Sequence, residues 1–213
     1  MRRLFTFICF CLFTTTIQSQ SAQFSSDMNI VVKAFDAATN AKEYQAVYLS
    51  LEPIAKAYPT EWLPLYYMSL VKTRMSMQKM GNADDLANQS IQLIERAKKI
   101  QVNDELLCAE SLAFTAKMSV SPYTRWLKYE NRIKFPLSLA KKINKDNPRI
   151  YALEASLQYN MPVLLGGGCT SSYALALTAI EKLSIPARQI VPFILPHWGG
   201  DIAHKIIKDC KKD

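Results

Sequence analysis

Apolar residues along this chain fall at helical spacing, and one arrangement of them occurs four times. Val47, Leu51 and Ile54 are offset by four and then three positions. So are Ala87, Ile91 and Ile94; Ile133, Leu137 and Ala140; and Ala176, Ile180 and Leu183. Such offsets share one face of a helix. The triplets start at 47, 87, 133 and 176, so the steps between them are 40, 46 and 43 residues. A helical unit of this period cannot bury its apolar face alone and must stack on its neighbours. The pattern predicts helical hairpins joined by linkers of uneven length, and no segment shows sustained strand alternation.

The elements around the triplets follow from caps and breakers. A first helix starts near Ser26 or Asp27 and shows Ile30, Val31, Ala34, Phe35 and Ala38 on its apolar face. A second carries Tyr44 to Tyr58 and is closed by Pro59. Thr60 caps a third, with Pro64 in its first turn. Gly81-Asn82 separates it from a fourth helix over 84–100, and Asn103 or Asp104 caps a fifth. The stretch from Ser121 to Lys145 contains Pro136, which predicts a kink or two shorter helices. Asn147-Pro148 opens a seventh helix. A glycine-bearing loop from Met161 to Cys169 leads to an eighth over 171–183. The segment 185–196 is punctuated by Pro186, Pro192 and Pro196, and a last helix spans 200–210.

Residues 1–21 lie outside this scheme. Arg2 and Arg3, an apolar run from Leu4 to Phe13, and small polar residues to Ser21 follow the order of a secretory signal. Cleavage is expected after Ser21, with Ala22 as second choice. An uncleaved anchor is disfavoured, because a bilayer span needs about 20 apolar residues. No membrane span is expected in the mature chain, which is placed in the periplasm or outside the cell. Export leaves three cysteines, Cys108, Cys169 and Cys210, an odd number whose pairing spacing does not decide.

Of 213 residues, 192 remain after the leader, enough for one domain over 22–213 with a sizeable core. Of 26 basic residues, all but Arg2 and Arg3 remain against 18 acidic ones, a balance of +6. That favours acidic partners. Export and the lack of an arginine-rich block argue against nucleic acid.

Val47, Leu51, Ile54 and Pro59 have the spacing of the second helix of a tetratricopeptide (TPR) repeat. At the proline position the other triplets have Lys99, Lys145 and Arg188. The chain resembles a divergent TPR-like protein over most of 27–184. Its last third, with Asn147-Pro148-Arg149-Ile150-Tyr151, Gly166-Gly167-Gly168 and Pro196-His197-Trp198-Gly199, resembles a family of small exported TPR-like proteins of Gram-negative bacteria. That resemblance implies export and helical repeats and lends no activity.

Chemistry-bearing residues are sparse. Backbone N–H groups at Gly166, Gly167 and Gly168, ahead of a helix, have the makings of an anion cradle. However, Cys169-Thr170-Ser171 follows, without the lysine of a phosphate loop. Close helix approach is the simpler use of these glycines. His197, Asp201 and His204 would share one helix face as metal ligands, but Gly199 and Gly200 make that helix doubtful, and no metal or cofactor is expected. Cys169 with His197 would be a nucleophile and base, with no third group to orient them. Tyr67, Lys72 and Arg74 point away from the apolar stripe of the third helix, toward a partner or solvent.

The expected fold is all-α: an α-solenoid of about four TPR-like antiparallel helical hairpins plus a C-terminal capping helix. The expected function is a non-enzymatic exported scaffold that binds a protein or peptide of the cell envelope through a helical surface, with Tyr67, Lys72 and Arg74 as contacts. One alternative is a hydrolase or small-ligand binder using Gly166–Cys169 and His197. The other is a structural subunit of an envelope assembly.

Overall fold

The structure is a computed structural model that describes residues 22–185 and 192–211. The expected leader and Pro186 lie outside these residues. The described residues are helical, with no strand among them. In chain order the helices are α1 (22–37), α2 (Ala41–Ala57), α3 (Leu63–Met77), α4 (Ala83–Ile100) and α5 (Asp104–Ser119). There follow α6 (Pro122–Ile143), α7 (Pro148–Asn160), a 3-10 turn (Val163–Leu165), α8 (Cys169–Leu183) and α9 (Gly200–Cys210).

Four helices begin on an asparagine. The side chains of Asn40, Asn82, Asn103 and Asn147 accept from the backbone N–H of Glu43, Asp85, Leu106 and Arg149. Each satisfies a donor that a helix start would otherwise leave without a partner. Thr60 does not cap α3, which starts after Trp62 without a side-chain cap.

Short connections make α3 and α4, α5 and α6, and α7 and α8 packed pairs. Within the stack α3 lies on α5 and α5 on α7, while α9 covers α7 and α8 at the end. Positions 47, 87, 133 and 176 are all buried, so each triplet's first residue faces the interior. The third residues Ile54, Ile94 and Ala140 are buried as well, and Leu183 is half-buried. A Thr73–Ser90 hydroxyl contact of 2.7 Å bridges α3 and α4 inside this core.

Three further expectations change. The buried stripe of α1 is Phe24, Met28, Val31, Phe35 and Ala38, with Val32 beside it, whereas Ile30 and Ala34 face outward. Val31, Phe35 and Ala38 keep their expected places, and the helix, already formed at residue 22, extends that stripe back to Met28 and Phe24. Of the two alternatives at Pro136, two shorter helices are excluded, because α6 runs through that residue as one helix. That residue is buried on the face where Trp126, Tyr129, Ile133 and Leu137 pack, and this burial offsets the lost hydrogen bond. The third change concerns α3: from Leu63 to Ser76 every residue but Arg74 is buried. A helix enclosed on every side has no polar face, so the period-based placement of Tyr67 and Lys72 in the open fails.

Candidate functional site

The segment 192–199 returns from α8 across the α1–α3 side of the stack. The Tyr67 hydroxyl donates to the Ile194 carbonyl at 3.0 Å, and the Trp198 indole N–H donates to the Tyr66 hydroxyl at 2.7 Å. Burial pushes both tyrosines well above their ordinary pKa, so they stay neutral hydrogen-bonding groups. Gly199 closes this strap at φ +104°, and a Cβ there would stand 3.2 Å from Arg149 Cγ. Glycine is what lets the strap turn over Arg149 into α9.

Under the strap lies a cleft of about 860 Å³. It sits where α3, α5 and α7 begin and α8 ends. Trp62, Leu183, Phe193 and Leu195 supply apolar walls. Gln101, Asn103, Asn144 and His197 supply polar ones, and Asp104, Glu105 and Arg149 line the bottom. This size and mixture suit a mostly apolar ligand oriented by a few polar groups.

The floor is a buried ion pair. Arg149 Nε donates to Glu105 Oε2 at 2.6 Å, and Arg149 Nη2 pairs with Glu105 Oε1. Asn147 Nδ2 donates to both Asp104 and Glu105 at 2.8 Å, and Asn144 Nδ2 donates to Asp104 at 2.8 Å. Burial pushes Glu105 up while Arg149 opposes the shift. Burial also pushes the free Cys108 thiol well up, leaving it an inert core side chain.

At the rim, His197 Nε2 lies 2.9 Å from Asp36 Oδ2 on α1, and Nδ1 lies 2.9 Å from the Leu195 carbonyl. The imidazole stacks on Phe193 with centroids 4.9 Å apart, and Lys33 stands 5.9 Å from that same ring. α1 and the strap thus share one side of the cleft.

The other expected site residues go elsewhere. Tyr67 is inside the core, Lys72 is buried with its ammonium 4.0 Å from the Tyr48 ring, and Arg74 covers Phe35 at 4.4 Å. They do not form an open contact face. Lys72 flanks a separate groove of about 540 Å³ between α2 and α4, lined by Tyr48, Met68 and Arg96. Burial lowers its pKa.

The glycine loop is not an anion cradle. Its N–H groups are spent internally: Gly166 donates to Val163, Gly167 to Pro162 and Gly168 to Gln158. Cys169 is bonded to Cys210, so it is no nucleophile. It also stands at the opposite end of α8 from Leu183 and His197, about 20 Å away for a helix of this length. His197 precedes α9 rather than riding on it, because left-handed Gly199 starts that helix at Gly200. Among the described residues no group of three His, Cys, Asp or Glu side chains is arranged for a metal ion.

Sequence reasoning singled out His197 but missed the cleft and its Arg149–Glu105 floor. Both halves of the floor lay in view as Asn147-Pro148-Arg149 and Asp104-Glu105, yet nothing local pairs residues 44 positions apart.

No helix among the described residues is long and apolar enough to cross a membrane. No family model matches the chain, and no curated protein does. Among solved structures, the HusA haemophore from Porphyromonas gingivalis is similar at a TM-score of 0.79 and 26% sequence identity, over 89% of this chain and 93% of that one.

Proposed function

We propose that the chain is an exported, non-enzymatic carrier that holds a haem or related porphyrin in the cleft beneath the strap. The observation that carries this reading is the likeness to a haemophore across nearly the full length of both chains. The cleft supports it chemically. Trp62 and Phe193 offer aromatic faces to a flat ring, and Leu183 and Leu195 offer apolar contact. Lys33 beside Phe193, with the Gln101 amide in the wall, suits the ring's carboxylates. Arg149 is committed to Glu105 and serves as floor rather than as anion clamp.

His197 is the one imidazole in the wall and a side chain of the type that ligates iron. Its Nε2 already faces Asp36, so ligation would have to displace that carboxylate. Capture through the ring faces needs no such exchange, and the walls are assigned the larger share of affinity. A haemin titration of the mature protein, followed in the Soret band, tests this. We expect a saturable shift, and binding about tenfold weaker for Trp62→Ala and for Phe193→Ala, the loss of one large apolar contact. An unsaturable signal, or two variants that bind as wild type does, removes the cleft from the account.

A further inference from the structure

The ends of α7 and α8 opposite the cleft are joined by an apolar prong. The turn after α7 exposes Pro162, Val163, Leu164 and Leu165 in succession, and Leu164 is 99% exposed. Four neighbouring apolar side chains held in water are costly unless something covers them. The turn is also built to hold them there. Its glycine N–H groups are used within it, Gln158 Nε2 donates to the Gly166 carbonyl, and Gly167 lies so close to Met161 that a Cβ would stand 1.9 Å from its carbonyl oxygen. The adjoining Cys169–Cys210 bond ties its base to α9.

Two more apolar side chains stand at this end. Met161 packs into the cluster of Trp126, Tyr129 and Leu157, which places the start of α6 beside the turn. There Tyr123 is 96% and Leu127 87% exposed. The surrounding charge is basic. The disulfide brings the end of α9 alongside, with Lys205, Lys208 and Lys211 exposed, and α6 adds exposed Lys128. Among the described residues the nearby acids are paired, Glu130 with Lys134 and Asp209 with Lys205, which leaves Lys128, Lys208 and Lys211 as the net positive charge.

We infer that this end docks the protein on a membrane surface with anionic headgroups, Leu164 and its neighbours entering the interface while the lysines meet the lipid charge. A rigid apolar tip ringed by lysine is the chemistry of a peripheral anchor. It reaches far too little depth to span. The ring of lysines favours anionic lipid over an apolar pocket on a protein or a second copy of this positively charged chain. Because the turn is pre-formed, insertion orders little new chain.

The test is co-sedimentation of the mature protein with vesicles of phosphatidylcholine, with and without phosphatidylglycerol. Binding is expected only when phosphatidylglycerol is present, and added salt weakens it. Leu164→Asp weakens it about tenfold or more, the loss of one inserted leucine. The Lys208→Glu, Lys211→Glu double variant weakens it by at least about fivefold per reversed charge. Leu164 and these lysines are exposed, so folding survives, and haemin titration of each variant should match wild type. A failure of the porphyrin reading is thereby separated from a failure of this one. Wild type left in the supernatant with anionic vesicles overturns the inference. So does equal binding by Leu164→Asp. Concentration-dependent dimerisation that Leu164→Asp abolishes, without vesicle binding, overturns it in favour of a contact between copies.

Discussion

Asp84 shows how single side chains tie distant turns of the stack. Arg125 meets it with two parallel hydrogen bonds of 2.7 Å across 41 residues, and Lys117 adds an ion pair at 3.1 Å. The Arg125 hydrogen bonds hold the Asp84 carboxyl well below the usual carboxylate range. A depressed folded pKa means that the stabilisation is complete above the ordinary value and fades as pH falls toward the folded one. Asp84→Asn is therefore expected to lower the thermal midpoint by roughly 2 °C at neutral pH, since the pair is partly exposed. The gap from wild type should hold above about pH 5 and close in stronger acid. Melting curves across that range check it, and a gap that widens on acidification contradicts it. Nothing in the sequence announces this pair, because Asp84 and Arg125 belong to different hairpins and either residue alone reads as a solvated charge.

At the level of elements, periodicity was informative wherever a helix has one dry side. The stripes through Val47, Ala87, Ile133 and Ala176 do face inward. It misled at α3, where Tyr67 and Lys72 are buried because α2, α4, α5 and the strap surround the helix. It misled at α1 too, where a helix formed from residue 22 brings Phe24 and Met28 into the core and leaves Ile30 outside. Cysteine spacing left three pairings open; the packing of α9 on α8 joins Cys169 to Cys210, while Cys108 is buried separately on α5 in the main core. That bond closes a segment of 41 residues, worth about 3–4 kcal/mol if its effect lies mainly in the unfolded chain. Reduction should lower the melting midpoint by about 10 °C and speed amide exchange in α9 before α3 or α5. Uniform loss of protection in all helices would contradict a local tether.

For the whole molecule, the decisive feature is that the chain covers part of its own stack. A helical-repeat array ordinarily offers an open surface to another protein. Here Tyr66 and Tyr67 of α3 are bonded to residues 198 and 194, and His197 reaches across to Asp36. Between the strap and the ends of the helices lies a cleft with aromatic walls and an ion-paired floor. Of this, His197 alone stood out in the sequence, since a proline-punctuated segment shows where a helix is absent but not where the chain goes. The likeness to a haemophore and the shape of the cleft favour the proposed capture of a porphyrin, and the apolar turn with its flanking lysines stands at the other end of α8, apart from the cleft. The most direct measurement is the loss of amide and side-chain NMR signals caused by paramagnetic haemin in the mature protein. The account predicts broadening centred on Trp62, Leu183, Phe193 and His197, with the α2–α4 groove and the Val163–Leu165 turn unaffected. Broadening centred on Tyr48 and Arg96, or spread evenly over the surface, would contradict it.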